Sequence, residues 1–267
     1  MQLGAGTTAI VTGASRGIGR ALTRQLAARG VRVGLLARDR DALEEAAAEL
    51  RPAASGDHIV LAADCAKRRE VERAIERFVK RAEGVDLFAA NAGIAHYGRF
   101  VDADVERAEE MVKVNVLGTI YAVHATLPHM LERRRGHIVV TSSGAGLRAF
   151  PDAAVYGSTK AANRGFAEAL RHELAGTGVS VTTVYPGEVA TDLHAHERDI
   201  LPAWRSNDEE LPPDEVATAI LDAVEADRRD VYVPRIVRLL GLNGISPRLV
   251  DEILVRIRGN SAAPRRG

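Results

Sequence analysis

The chain has 267 residues, with 36 basic and 36 acidic side chains, one cysteine and a hydrophobic fraction of 46%. That length fits one globular domain with small additions, and the balanced charge gives no electrostatic footprint for nucleic acid. The single cysteine excludes an internal disulfide, the start shows no signal-peptide pattern, and no apolar run is long enough to cross a bilayer, so a cytoplasmic protein is expected.

In chain order, an apolar strand at 8–11 passes through a glycine-rich turn into a helix at 17–29. A second strand at 31–36 precedes an alanine-rich helix at 41–50. A third strand at 59–62 precedes a helix at 69–81 with apolar positions at Val71, Ile75, Phe78 and Val79. A fourth strand at 85–90 leads to a long helix at 106–131, which Pro128 tightens or ends. Then come a strand at 137–142, a helix at 154–174, a strand at 179–185, a helix at 214–225 and a short strand at 231–233. The alternation predicts an α/β fold, a parallel sheet of about seven strands with helices on both faces.

This pattern places the main domain at 1–234. Within it, 192–213 is polar and contains prolines; from 194 onward it reads either as a lid over a site or as a surface excursion. Residues 235–258 mix aliphatic side chains with arginines and predict a helical extension of one or two amphipathic helices. That extension reads as packing on the domain, as a subunit interface, or as a membrane-surface contact that does not span. Residues 259–267 read as a flexible tail. His194 and His196 resemble a metal pair, but no third ligand is evident, so no metal is expected.

The turn after the first strand is Thr12-Gly13-Ala14-Ser15-Arg16-Gly17-Ile18-Gly19. Glycines there let backbone N–H groups approach a pyrophosphate, and the following helix N-terminus favours the anion. At the end of the second strand stand Ala37 and Arg38. An acid there would accept from a ribose 2′-hydroxyl and repel a 2′-phosphate, whereas a guanidinium grips one. With Arg16 inside the turn, the expected cofactor is NADP(H) in preference to NAD(H). Tyr156 and Lys160, four apart, share one face of a helix. A lysine ammonium beside a phenol favours the phenolate, which suits Tyr156 to general acid/base work.

These motifs, with Asp64, Asn91-Ala92-Gly93, Asn115, Ser143 and Pro186-Gly187-Glu188-Val189-Ala190-Thr191, resemble the short-chain dehydrogenase/reductase family from Thr12 to Thr191. The resemblance implies a Rossmann-type doubly wound sheet, a nicotinamide cofactor and a catalytic set of Ser143, Tyr156, Lys160 and Asn115. Ser143, rather than Ser142, is the choice because it precedes Tyr156 by thirteen residues, the family's usual separation. It also implies that Asp64, through its side chain, and Cys65, through its backbone, contact the adenine end. Asn91, Ala92 and Gly93 line the cofactor. Lys160 holds the nicotinamide ribose, and Val189 and Thr191 flank the carboxamide beside Pro186 and Gly187. Pairing of the 106–131 and 154–174 helices implies a homodimer or homotetramer. Two positions depart from the family: Ala90 replaces a common asparagine, and Glu188 replaces an apolar residue. Glu188 reads as pointing at backbone donors, the alternative being a carboxylate at the pocket mouth.

The implied activity is hydride transfer between NADP(H) and a carbonyl or secondary alcohol, with a small, lipophilic substrate suggested by Leu147, Phe150 and Leu193. Ser143 would bond the carbonyl oxygen, Tyr156 would protonate it, and Asn115 would hold a water relaying protons to Lys160. His96 and Tyr97 read as loop-filling rather than pocket-lining. The alternative is a non-catalytic NADPH-binding regulator on the same fold.

Overall fold

The computed structural model describes residues 1–191, 210–248 and 252. Seven parallel strands form one sheet in the order β3-β2-β1-β4-β5-β6-β7. They are β1 Thr8–Thr12, β2 Arg32–Ala37, β3 Ile59–Ala62, β4 Leu87–Ala90, β5 Gly136–Thr141, β6 Val179–Pro186 and β7 Asp230–Val233. The helices are α1 Gly17–Ala28, α2 Arg40–Ala48, α3 Arg68–Ala82, α4 Val105–Met111, α5 Gly118–Glu132, α6 Ala154–Glu173 and α7 Pro213–Glu225. The Rossmann-type reading is therefore the observed architecture.

Strand periodicity explains why both faces are covered. On β1, Ala9 and Val11 pack with Leu22 and Leu26 of α1 and Ile220 of α7, while Ile10 points to the opposite face among Ile75, Phe78 and Phe88. On β4, Leu87 and Ala89 join the first cluster, and Phe88 and Ala90 join the second. Gly34 has a packing reason: a Cβ there would lie 2.6 Å from the ring of Phe78. The chain reverses its direction of travel across the sheet between β1 and β4, so their carboxyl ends open a crevice suited to a ligand.

The structure departs from the sequence reading in three places. The expected helix at 106–131 is α4, a π-helical stretch Val112–Leu117, and α5. Thr119 Oγ1 donates to the Asn115 carbonyl at 2.8 Å, a back-bond of the kind that bends helices. Pro128 does not end the helix, which runs on to Glu132. The carbonyl that Pro128 leaves without its intrahelical donor is that of His124, an exposed residue that solvent can reach. Residues 235–258 begin as a 3₁₀ run, Arg235–Gly244, rather than an α-helix. Most of the expected lid, with Leu193, His194 and His196, and residues 253–267 lie outside the described residues.

His137 on β5 is 2% exposed, and its Nε2 lies 2.7 Å from Thr182 Oγ1 on β6. Burial pushes its pKa down to about 4, against an ordinary 6.5. Between those values the unfolded chain binds a proton that the native protein does not, so stability falls as pH drops from 6.5 towards 4. Urea unfolding should show a loss of about 3 kcal/mol across that window, and His137→Gln should remove that component of the pH dependence.

Candidate active site

A cleft of about 540 Å³ opens at the carboxyl ends of the strands. Gly13, Ser15, Arg16, Gly17, Ile18, Arg38, Asp64, Cys65, Asn91, Ala92, Gly93, Ser143, Tyr156, Lys160, Pro186, Gly187, Val189 and Thr191 all line it. Of the sequence-derived site residues, Gly19 and Asn115 alone stand behind this lining, and both are buried.

The glycine turn is built by close approach. Gly13 and Gly17 have φ of +67° and +53°, the left-handed region where glycine carries no penalty. A Cβ on Gly19 would lie 2.1 Å from the Gly13 carbonyl oxygen, so α1 can start here only with glycine at that position. The turn is tied to β4 through Thr12. Its hydroxyl donates to the Ala89 carbonyl at 3.2 Å and accepts from the Asn91 and Ala92 N–H groups, each at 2.9 Å. The Asn91 amide returns a bond to the Thr12 carbonyl at 3.2 Å. The sequence motif includes Thr12 but does not disclose this linking role.

At the β2–β3 end of the cleft, Arg38 follows β2, and its Nη1 lies 3.4 Å from Glu110 Oε1 on α4. Asp39 also lines the cleft, but its Oδ1 accepts from the Ala42 N–H at 3.1 Å and caps α2. The Asp64 Oδ1 accepts from the Ala66 N–H at 3.0 Å, fixing the turn after β3. Burial pushes the Cys65 thiol up to about 12, which keeps it protonated and poorly nucleophilic.

At the other end, Lys160 of α6 is 4% exposed, and its Nζ donates to the Thr141 carbonyl at 3.1 Å. The same Nζ lies 5.9 Å from the centroid of the Tyr156 ring. Burial lowers the Lys160 pKa from an ordinary 10.5 to about 8. The cost of burying this ammonium is therefore borne fully below pH 8 and fades as pH rises towards 10.5.

The two neighbouring serines divide their work. Ser142 Oγ donates to the Lys160 carbonyl at 2.7 Å and locks α6 to β5. Ser143 Oγ accepts from the Ala145 N–H at 3.1 Å and keeps its own hydrogen to donate. Asn115 Oδ1 accepts from the Ile94 N–H at 2.8 Å, while its Nδ2 donates to the Ile94 carbonyl at 2.9 Å and to Thr159 Oγ1 at 3.0 Å. These bonds brace the Gly93–Ile94 loop against α6. Gly93 leaves room where polar atoms meet, since a Cβ there would lie 3.3 Å from both Asn115 Oδ1 and Lys160 Nζ.

Four further features of the cleft either run against the favoured sequence reading, as for Tyr97 and Glu188, or leave no motif in the sequence. Tyr97 lines the cleft, with its ring centroid 5.8 Å from that of Tyr156, so it is more than loop filling. Glu188 also lines the cleft, which places that residue at the pocket. Val237 and Leu240 of the 3₁₀ run form another wall. Gly146 is required because a Cβ there would lie 2.5 Å from Ser142 Oγ and 2.8 Å from the Lys160 carbonyl. Only the period of three in the terminal segment could have flagged Val237 and Leu240.

A family model described as short chain dehydrogenase matches residues 7–201. The chain belongs to that family. It is 37% identical over 224 residues to a protein named glycine betaine reductase from Emericella nidulans, a match covering 82% of this chain and 18% of that one. The chain thus spans less than a fifth of that relative's length. The fold resembles a short chain dehydrogenase/reductase from Burkholderia phymatum in complex with NAD, with 27% identity, coverage of 94% and 97% of the two chains, and a TM-score of 0.83. It also resembles an alcohol dehydrogenase from the archaeon Thermococcus sibiricus complexed with 5-hydroxy-NADP, with 30% identity, coverage of 85% and 95%, and a TM-score of 0.75.

The glycine turn makes a direct prediction for this short chain dehydrogenase. Gly19→Ala must move the Gly13 carbonyl or the start of α1, so it should cost about 3 kcal/mol of stability. Urea unfolding checks the loss, and titration with a nicotinamide dinucleotide should show weakened binding.

Proposed function

We propose that this protein is an NADP(H)-dependent oxidoreductase acting on a carbonyl compound or secondary alcohol, with a lipophilic substrate. The observation that carries the reading is the convergence, in one cleft, of the glycine turn with Ser143, Tyr156 and the buried Lys160. Gly13, Gly17 and Gly93, where a side chain would meet its neighbours, fit a ligand that approaches the backbone closely. Gly13, Ser15, Arg16, Gly17 and Ile18 would hold the pyrophosphate end of the dinucleotide. When bound, the dinucleotide supplies or takes the hydride.

In the reductive direction, Ser143 Oγ–H bonds to the carbonyl oxygen and orients it. Tyr156 donates its phenolic proton to that oxygen, and the Lys160 ammonium stabilises the phenolate. With its pKa near 8, Lys160 is poised to return a proton to Tyr156 at neutral pH. Asn115 positions the loop and Thr159, and its Oδ1 retains a second lone pair for a water leading towards Lys160. Tyr97, Ala145, Phe150, Val237 and Leu240 give the substrate end an apolar lining.

Arg16 and Arg38 support the NADP(H) preference, because both line the cleft and Asp39, the acid that follows Arg38 in sequence, caps α2. The two solved relatives hold NAD in one case and a modified NADP in the other, which is consistent with a nicotinamide dinucleotide here. The protein is read as a cytoplasmic homodimer or homotetramer, with no nucleic acid partner. Among the described residues, no helix is long and apolar enough to cross a membrane.

Cofactor oxidation over a panel of carbonyl compounds tests the reading. Tyr156→Phe should lower turnover by about 10³-fold while leaving NADPH binding nearly intact. Unchanged turnover would remove Tyr156 from the chemistry. Arg38→Ala should weaken NADPH binding by about tenfold or more and leave NADH binding little changed, as dinucleotide titrations would show.

A further inference from the structure

The 3₁₀ run Arg235–Gly244 has three residues per turn, so side chains three apart stack into straight rows. One row turns inward: Val237 and Leu240 are 7% and 9% exposed and pack against the Gly144 turn beside Ser143. A second row turns outward. Ile236, Leu239 and Leu242 are 59%, 47% and 38% exposed, and Ile245, which caps the run, is 84% exposed. The third row opens with Arg235 and Arg238, both exposed, and Arg248 follows beyond the run, also exposed. From 234 to 248 the chain carries these three arginines and no acidic residue.

We propose that this stripe docks the protein on an anionic lipid bilayer, with the aliphatic row in the interfacial layer and the arginines against lipid phosphates. Apolar side chains in line, flanked by cations and without acids, match an interfacial membrane element. A second copy of the chain fits less well. An isologous contact through this stripe would bring Arg235 and Arg238 towards their own copies with no acid of the segment to offset them. Four partly exposed aliphatic side chains also cover far less than the ~800 Å² per partner of a standard interface. Docking this way sets the cleft wall made by Val237 and Leu240 beside the bilayer, where a lipophilic substrate would be met. The proposal does not depend on the hydride-transfer reading.

Flotation of the full chain with vesicles tests it, comparing phosphatidylcholine alone with phosphatidylcholine mixed with phosphatidylglycerol. The wild type should float with the anionic mixture and be released by high salt. A double variant, Leu239→Glu with Ile245→Glu, should no longer float. Arg235→Gln with Arg238→Gln should lose roughly fivefold in partitioning per arginine. Both positions of the first variant are exposed, and thermal unfolding matching the wild type confirms that it is folded. The proposal is overturned if the wild type floats with neither lipid, or if flotation survives the glutamate substitutions. It is equally overturned if the stripe instead drives a dimer that those substitutions dissolve in the absence of lipid.

Discussion

The site is organised around one buried ammonium. Lys160 is nearly sealed from solvent, and its ammonium donates to the Thr141 carbonyl. Burying a charge with so little compensation is costly and lowers its pKa, so the surroundings must hold the lysine in place. They do so from several directions. Ser142 grips the Lys160 carbonyl, Gly146 makes room for that contact, and Asn115 braces Thr159 on the same helix. The result is a lysine poised near neutral pH beside a tyrosine ring, a combination that suits proton transfer better than stability.

The rest of the cleft follows from the sheet. Its crevice lies where the winding reverses between β1 and β4. Thr12 joins those two strand ends with a single hydroxyl, and the absence of a Cβ at Gly19 lets α1 pack directly on the turn. The crevice has two ends of different character. One end carries Arg16 and Arg38, with Glu110 within reach of Arg38. The far end is apolar and aromatic, closed by Tyr97, Phe150, Val237 and Leu240. A charged, backbone-lined end next to an apolar one suits a dinucleotide alongside a lipophilic partner.

Much of this was legible in the sequence because it rests on local signals. Strand and helix periodicities gave the element order, and the glycine spacing marked the turn. The four-residue step from Tyr156 to Lys160 put both on one helical face. What escaped depends on contacts between distant segments. The π-helical stretch arises where Asn115 reaches across to Ile94 and Thr119 takes up its carbonyl, which no apolar period records. Tyr97 looks like a loop residue until the fold brings it to Tyr156. Gly146 carries no motif, since its need comes from Ser142 and Lys160 meeting behind it. An amphipathic α-helix would repeat every 3.6 residues, whereas the rows of the terminal segment repeat every three, and this shift brings Val237 and Leu240 to the cleft.

The most direct test of the account is transfer of label from NADPH deuterated at the nicotinamide C4. The purified protein would be incubated with the labelled cofactor and a panel of lipophilic ketones and aldehydes, and the alcohols analysed by mass spectrometry. The account predicts one deuterium on the carbinol carbon of at least one product, with none in the Tyr156→Phe variant. Tight binding of the dinucleotide with no deuterium in any product would contradict it.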